Sequence, residues 1–331
     1  QPAISDTFGF NSNITSAYIS ELDNSVVLYP FGAEQGSNFD LAMFGTYDSL
    51  LKDLLDFNSG LSITGTSLND SVSVWSYETV QSDLQIDMRA GIDLVNLLGA
   101  YGSDTVQLGS GDDFLYVSID EQELYNYAGM YDSVENMEAQ RSSYTFDTLL
   151  DGGEGNDWLI FRAGDASEGV SYILNSEPTQ GFENIQGTKL NDMLTGDAES
   201  NIINAGLGTD EVYGLAGDDS LYGAYATNNF SMDSDNDGTD LLFGGAGNDL
   251  LVGGAGDDEL DGGLGQDILW GDDKQDYDDV YAPTTSEDQE TGGSDTFVIR
   301  AGDGGLTLDA ADIIMDFEDG SDQIVLTDGL L

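Results

Sequence analysis

The sequence contains no cysteine and no histidine, and it has only 7 lysine and arginine residues against 64 aspartate and glutamate residues. The lack of cysteine excludes disulfides and thiolate nucleophiles, and the lack of histidine excludes Ser-His-Asp triads and His-ligated zinc sites. The net charge of -57 argues against nucleic acid and anionic membrane surfaces as partners, because binding to phosphate needs lysine and arginine. The same charge favours cations as partners.

The sequence also lacks a run of about 18 apolar residues, so no helix is predicted to span a bilayer. Its first ten residues, QPAISDTFGF, have neither the basic region nor the apolar region of a signal peptide. Hydrophobic residues nevertheless make up 39% of the chain, with 3 Trp, 16 Tyr and 14 Phe. This content is too high for a disordered acidic tail, and the chain is expected to bury a core.

Glycine is abundant, and it recurs in a nonapeptide pattern. Residues 235–270 read DNDGTDLLF, GGAGNDLLV, GGAGDDELD and GGLGQDILW, and residues 187–222 read GTKLNDMLT, GDAESNIIN, AGLGTDEVY and GLAGDDSLY. The sixth position is Asp or Asn, and the eighth position is apolar. A surface adapted to high salt would scatter its carboxylates, whereas these carboxylates recur at one fixed position.

The sixth positions of the two blocks are the main candidate metal ligands. They are Asp192, Asn201, Asp210, Asp219, Asp240, Asp249, Asp258 and Asp267. The eighth positions are the predicted core, and they are Leu194, Ile203, Val212, Leu221, Leu242, Leu251, Leu260 and Leu269.

Each nonapeptide divides into a six-residue turn, in which glycine supplies strained backbone angles, and a three-residue strand whose central side chain points inward. Two nonapeptides complete one coil, and successive coils stack as parallel strands, so the predicted fold is an all-β parallel β-roll. Stacking places Asp249 beside Asp267 and Asp240 beside Asp258, about 4.8 Å apart. Two such charges repel by about 3–4 kcal/mol at an effective dielectric constant of about 20.

A divalent cation between the turns would cancel this repulsion. Calcium suits the position because it accepts six to eight oxygens in tolerant geometry, carbonyl oxygens included, whereas magnesium demands near-ideal octahedral geometry. The sequence therefore predicts several calcium ions as cofactors. A glycine-rich β-helix without metal is the alternative.

These nonapeptides resemble those of the RTX (repeats-in-toxin, or haemolysin-type) calcium-binding proteins. The resemblance implies a parallel β-roll in which calcium is held by the sixth-position Asp and by main-chain carbonyls. It also implies bacterial export by a type I secretion machine, with folding outside the cell in calcium.

Weaker copies of the repeat precede the two blocks. GTSLNDSVS at residues 65–73 matches GTKLNDMLT, and GAYGSDTVQ with LGSGDDFLY at residues 99–116 places Asp104 and Asp113 at sixth positions. These two are expected on opposite edges of the roll, without partners one full coil away. GGEGNDWLI at residues 152–160 forms a single unit with Asp157 at its sixth position. All three aspartates are candidate metal ligands.

The segment between the two blocks contains a further acidic motif. Asp233, Asp235 and Asp237 precede a glycine with the spacing D-x-D-x-D-G, which resembles the first half of an EF-hand loop. The twelfth position of this motif is Gly244 rather than glutamate. A further calcium site formed by the three aspartates and a plain acidic loop both remain open.

Four segments are predicted along the chain: a non-repeat segment at 1–64, a degenerate roll at 65–165, the main roll at 166–290 and a β cap resembling an RTX secretion signal at 291–331. Short helices are predicted at 46–57 and 120–140, and a strand at 24–31. The phrases GNDWLIFRAGD at 155–165 and GSDTFVIRAGD at 293–303 resemble each other, and both are expected to lead out of a roll through a wider β segment.

Two functions are compatible with these features. The first is a secreted calcium-binding structural or adhesive protein, such as a surface-layer, sheath, fibril or matrix component, that assembles with itself or contacts a cell surface or polysaccharide. The alternative is the non-catalytic RTX module of a larger exported enzyme, such as a protease, lipase or polysaccharide epimerase. A carboxylate-based glycosidase or lyase is a weaker hypothesis, because no isolated pair of carboxylates stands out in an apolar setting.

Overall fold

The computed structural model describes residues 17–20, 25–28, 38–43, 61–76, 84–98, 105–118, 149–163, 166–176, 179–224, 237–272, 293–303 and 311–327. These residues form β-strands joined by turns, and no helix occurs among them. The predicted helices at 46–57 and 120–140 lie outside them. The chain divides into two compact units.

The first unit comprises Gln1–Ala166 and Asn175–Phe182. Its strands are β1 (Ala17–Ser20), β2 (Ser25–Leu28), β3 (Asn38–Met43), β4 (Leu61–Thr64), β5 (Ser71–Ser76), β6 (Leu84–Asp87), β7 (Leu94–Leu98), β8 (Thr105–Ser110), β9 (Phe114–Ser118), β10 (Leu149–Glu154) and β11 (Trp158–Arg162).

Even-numbered and odd-numbered strands of this unit lie in separate sheets. The order β2-β4-β6-β8-β10 is parallel throughout, and so is the order β3-β5-β7-β9-β11, while β1 pairs with β2 in antiparallel fashion. Consecutive strands therefore alternate between two sheets, as a roll requires. Parallel pairing extends to β2 and β3, which precede the first nonapeptide, and β2 lies within the strand predicted at 24–31.

The second unit comprises Ser167–Leu174 and Glu183–Leu331. Its strands are β12 (Ser171–Ile173), β13 (Asn184–Gln186), β14 (Met193–Thr195), β15 (Ile202–Asn204), β16 (Glu211–Ala216), β17 (Ser220–Tyr222), β18 (Leu241–Ala246), β19 (Leu250–Gly254), β20 (Glu259–Leu264), β21 (Ile268–Asp272), β22 (Thr296–Ile299), β23 (Ile313–Ile314) and β24 (Gln323–Leu326).

The same alternation holds in the second unit. Strands β12 to β24 of even number form one parallel series, and strands β13 to β23 of odd number form another. Leu250 pairs with Ile268 and Leu241 pairs with Glu259, which is the predicted register of two nonapeptides per coil. The parallel β-roll is confirmed.

The two nonapeptide blocks belong to one continuous stack. Strand β16 pairs with β18 in the regular register, with Glu211 beside Leu241, although more than two nonapeptides separate these residues in sequence. The additional residues lie between β17 and β18, and β18 continues the stack in register.

The core of the second unit is a column of apolar side chains from the eighth position of each nonapeptide. All eight are fully buried, with exposed fractions of 0%: Leu194, Ile203, Val212, Leu221, Leu242, Leu251, Leu260 and Leu269. Each strand thus buries its central side chain, because alternate side chains in a strand point to opposite faces. One apolar residue per turn builds a core only when the coils stack.

Several strands are longer than the predicted three-residue strand. Strand β18 pairs with β20 through Gly245 and Gly263 as well as through its leucines, so pairing continues into the turn. Gly245 and Gly263 have left-handed φ angles of 112° and 91°. A side chain at either position would strain the backbone.

Candidate metal centre

The residue at the sixth position of each turn lies immediately before a strand, and successive sixth positions are joined by hydrogen bonds. In the even-numbered series of the second unit, the main-chain N–H of Asp240 donates to Oδ1 of Asp258 at 2.9 Å, and the N–H of Asp258 donates to Oδ1 of Asp295 at 2.9 Å. We call such a column of sixth-position residues a ladder, and each of its residues a rung. The even ladder runs through Asp192, Asp210, Asp240, Asp258, Asp295 and Asp322.

A second ladder follows the odd-numbered strands of the same unit. The N–H of Asp249 donates to Oδ1 of Asp267 at 2.9 Å, across the predicted two nonapeptides. The odd ladder runs through Asn201, Asp219, Asp249, Asp267 and Asp312. Each rung thus uses one side-chain oxygen to accept the N–H of the rung before it.

The first unit contains a ladder of irregular spacing. It runs through Asp70, Asp93, Asp113 and Asp157, which are separated by 23, 20 and 44 residues. The expectation that Asp113 lacks a stacked partner was wrong, because its N–H donates to Asp157 at 2.8 Å and its Oδ1 accepts from Asp93 at 2.6 Å. Asp157 likewise does not stand alone. Loops of unequal length separate the rungs without disturbing their register.

The second carboxylate oxygen of most rungs is buried without a donor. Among the described residues, no group donates a hydrogen bond to the buried Oδ2 atoms of Asp93, Asp113, Asp210, Asp219, Asp240, Asp249, Asp258, Asp267 and Asp295. A buried ionised oxygen is costly unless a positive group meets it. Within the same ranges, the salt bridge joins Arg300 to Asp261, which is not a rung.

In several turns of the second unit, glycine at the first position leaves space beside this oxygen. A Cβ atom placed on Gly253 would overlap Oδ2 of Asp258, and one on Gly262 would overlap Oδ2 of Asp267. Gly244 stands in the same relation to Asp249, and Gly271 to Asp295. Glycine at the first position therefore leaves an open space, here called a glycine cradle, beside the carboxylate oxygen that receives no hydrogen bond.

Burial raises the pKa values of several ladder carboxyl groups. The pKa of Asp240 rises from 3.8 to about 9 and that of Asp258 to about 8, first because of desolvation and then through neighbouring carboxylates. On the odd ladder, desolvation raises the pKa of Asp249 to about 6 and that of Asp267 to about 7. Desolvation therefore raises these pKa values more than the repulsion between stacked aspartates does.

Three predicted ligands lie outside the described residues: Asp104, Asp233 and Asp235. Asp237, the third residue of the acidic motif, occupies the third position of the turn that ends at Asp240. Its Oδ2 accepts the N–H of Ala255 at 3.0 Å, and its charge raises the pKa values of Asp210, Asp240 and Asp258. Asp237 is thus a second carboxylate close to the even ladder.

Asp192 and Asn201 differ from the other predicted ligands, because their side chains accept hydrogen bonds within their own turns. Oδ2 of Asp192 accepts the N–H of Thr188 at 2.5 Å, and Oδ1 of Asn201 accepts the N–H of Asp197 at 2.8 Å.

Two buried rungs were not predicted from the sequence. Asp93 precedes β7 in the turn MRAGID, which lacks the first and second glycines, and Asp295 completes a turn that begins at Gly271 and is interrupted by a long insertion. A search for Asp directly before a short apolar strand, without a fixed spacing, would have found both.

The ladders suit a hard divalent cation that takes main-chain oxygens together with carboxylates. Within the described ranges, no group of three or more acidic side chains converges on one point, so side chains alone do not complete a site. Calcium takes carbonyl oxygens as well as carboxylate oxygens, so one carboxylate oxygen of a rung and main-chain carbonyls of the turns would hold it. The buried oxygens and glycine cradles fit this ion, which would supply the positive charge that the ladders lack.

Comparison with known families agrees with this chemistry. The model of the RTX calcium-binding nonapeptide repeat matches the chain in four segments, residues 96–118, 147–166, 179–224 and 234–269. No curated protein matches the chain. The matched segments are structural calcium-binding repeats and are not catalytic in themselves. No helix among the described residues is long and apolar enough to cross a membrane.

Proposed function

We propose that this chain, which carries the RTX calcium-binding nonapeptide repeats, is a secreted structural or adhesive protein whose rolls become rigid on binding extracellular calcium. The observation that carries the proposal is the column of buried Oδ2 atoms described above. Export from a bacterium in a low-calcium, unfolded form explains why the charge is left for an external ion to neutralise.

The proposed calcium ligands are the sixth-position aspartates whose second oxygen has no donor, together with main-chain carbonyls of the turns. In the second unit these are Asp210, Asp219, Asp240, Asp249, Asp258, Asp267 and Asp295. In the first unit they are Asp93 and Asp113, and Asp157 continues the same column. Calcium would neutralise the ionised groups and would displace the protons of those with the highest pKa values, such as Asp240 and Asp258, so binding would favour the folded state.

Self-assembly is supported by the last described rungs of the second unit. Five large hydrophobic side chains there are exposed: Ile313, Met315, Phe317, Ile324 and Leu326. Exposed apolar side chains beside short edge strands favour association with another β-structure. A second copy of the chain is the proposed partner.

A calcium titration of the full chain tests the proposal. Starting in chelator, calcium is added while circular dichroism records β-structure and electron microscopy records particle size, with magnesium at the same ionic strength as the control. We expect cooperative gain of β-structure and larger particles in calcium but not in magnesium. Full β-structure in chelator would refute calcium-dependent folding, and monomeric particles in saturating calcium would refute assembly.

A further inference from the structure

The fully described turns that precede a ladder residue fall into two main backbone classes, and the turn 317–322, in which only the fourth residue, Gly320, has a left-handed φ angle, belongs to neither. In eight turns both the second and the fourth residue have left-handed φ angles. The second residues are Arg89, Gly109, Gly153, Gly206, Leu215, Gly245, Gly254 and Gly263, and the fourth residues are Gly91, Gly111, Gly155, Gly208, Gly217, Gly247, Gly256 and Gly265. Three other described turns, GTSLND at 65–70, GTKLND at 187–192 and GDAESN at 196–201, have neither feature.

The two GT turns satisfy their aspartate with hydrogen bonds from threonine. The N–H of Thr188 donates to Oδ2 of Asp192 at 2.5 Å, and its hydroxyl donates to Oδ1 of the same carboxylate at 3.1 Å. Thr66 repeats the arrangement with both groups on Oδ2 of Asp70, at 2.6 Å for the N–H and 2.8 Å for the hydroxyl. The oxygen that lacks a donor in the left-handed turns is therefore bonded within the turn here.

The third turn achieves the same result with an amide. Oδ1 of Asn201 accepts the N–H of Asp197 at 2.8 Å, and its Nδ2 donates to the main-chain carbonyl of Glu183 at 3.1 Å. A neutral amide supplies both an acceptor and donors. The Asn201 side chain therefore binds the carbonyl oxygen of Glu183 directly, and no cation is needed between them.

These hydrogen bonds conflict with metal binding. An N–H pointing at the carboxylate places positive partial charge in the position that a cation needs, and it uses a lone pair that the cation would share. We propose that the turns 65–70, 187–192 and 196–201 bind no calcium and form metal-independent first rungs. The proposal rests on the proposed function, because it divides the rungs of a calcium-binding roll into two kinds.

The position of these turns indicates their role. Among the described residues, Asp70, Asp192 and Asn201 are the first Asp or Asn residues of the three ladders, and each donates its main-chain N–H to the next rung, at 2.7, 2.7 and 2.8 Å. Val170 precedes Asp192 in the even ladder and donates its N–H to Oδ1 of Asp192 at 2.5 Å. The even ladder also ends on a hydrogen-bonded rung, because the N–H of Glu318 donates to Oδ2 of Asp322 at 2.7 Å. A rung ordered without metal gives the first calcium-binding rung a preformed neighbour.

Counting bound ions by equilibrium dialysis of the full chain with radioactive calcium tests this inference. Asp192→Asn is compared with Asp210→Asn, which alters the next rung of the same ladder. We expect Asp192→Asn to bind the wild-type number of ions and Asp210→Asn to bind fewer. Equal losses in the two variants would overturn the inference while leaving calcium binding intact. A wild-type chain that binds no calcium would instead overturn the proposed function.

A gain of binding provides the second test if Asp192→Asn does not fold. The double variant Thr188→Gly, Leu190→Gly removes the threonine hydroxyl and places glycine at the second and fourth positions, which allows the left-handed φ angles of the turns whose Oδ2 has no donor. We expect it to bind more calcium than the wild type. The matched double variant Thr188→Ser, Leu190→Met keeps the hydroxyl and lacks glycine, so it should bind the wild-type number. An unchanged count in the glycine variant would contradict the inference.

Discussion

At the scale of the residue, the sixth-position aspartate has two distinct oxygens. Oδ1 of Asp258 accepts a main-chain N–H from the neighbouring rung, whereas its Oδ2 is buried beside Gly253 with no donor among the described residues. An asparagine side chain could accept the same N–H but has no second carboxylate oxygen for a cation. The longer glutamate side chain would place its oxygens too far from the turn. The nonapeptide pattern predicted which residues stack. That one carboxylate oxygen accepts an N–H while the other has no donor was visible only in the structure.

The raised pKa values predict how the metal-free chain responds to pH. Because the folded-state pKa values of Asp240 and Asp258, about 9 and about 8, lie above the ordinary 3.8, the folded chain holds more protons than the unfolded chain between these limits. Its free energy of unfolding should therefore be highest at low pH and fall as the pH rises through this range.

Denaturant titrations in calcium-free buffer at several pH values measure this dependence. A free energy of unfolding that is constant or rises with pH would contradict the assignment. The affinity for calcium should rise over the same range, because bound protons must leave before the ion binds.

Substitution of a rung should weaken calcium binding far more than substitution of the residue next to it in sequence. Asp258→Ala removes a buried carboxylate of the even ladder, whereas Asp257→Ala removes an exposed one that accepts only the N–H of Ser294. We expect Asp258→Ala to reduce calcium binding and stability in calcium, and Asp257→Ala to change either by no more than about 1 kcal/mol. Isothermal titration calorimetry measures both. Similar losses in the two variants would count against the ladder register.

At the scale of the element, the unit of construction is one turn followed by one short strand, and the loops between units are free to vary. The sequence predicted the register in the clean blocks, where Asp249 and Asp267 stack two nonapeptides apart. It did not predict that Asp219 and Asp249, which have an insertion between them, stack equally well. Fixed spacing detects the repeat only where no loop interrupts the turn.

Removal of one such loop provides a test at this scale. Deletion of residues 225–236 joins Ala224 to Asp237 and leaves the turn Gly-Ala-Asp-Gly-Thr-Asp ending at Asp240. We expect the shortened chain to keep its calcium-induced β-structure, because Asp210 and Asp240 then have the same separation in sequence as Asp240 and Asp258. Circular dichroism in calcium measures this. Failure to fold would contradict the continuous stack.

Calcium counting of the shortened chain also decides between the two interpretations of the acidic motif. The deletion removes Asp233 and Asp235 but keeps Asp237. A plain acidic loop predicts the wild-type number of ions, and an additional site of the EF-hand type predicts one ion fewer.

At the scale of the whole molecule, we expect folding and charge neutralisation by calcium to occur together. The chain has a net charge of -57, and the buried acidic side chains of the described residues lie in ladders, apart from Asp261, which pairs with Arg300. The parallel roll and its column of leucines could be predicted, since one apolar residue per nonapeptide requires stacking. Fixed spacing did not find Asp93 and Asp295, because loops of irregular length separate them from the neighbouring repeats. The division of the chain into four segments stays a prediction.

Anomalous X-ray diffraction from crystals grown in calcium tests the central claim most directly. We predict calcium peaks along both ladders of the second unit, within about 2.3–2.6 Å of Oδ2 of residues such as Asp249 and Asp258. Carboxylates that contact only water or protein groups in saturating calcium would contradict the account.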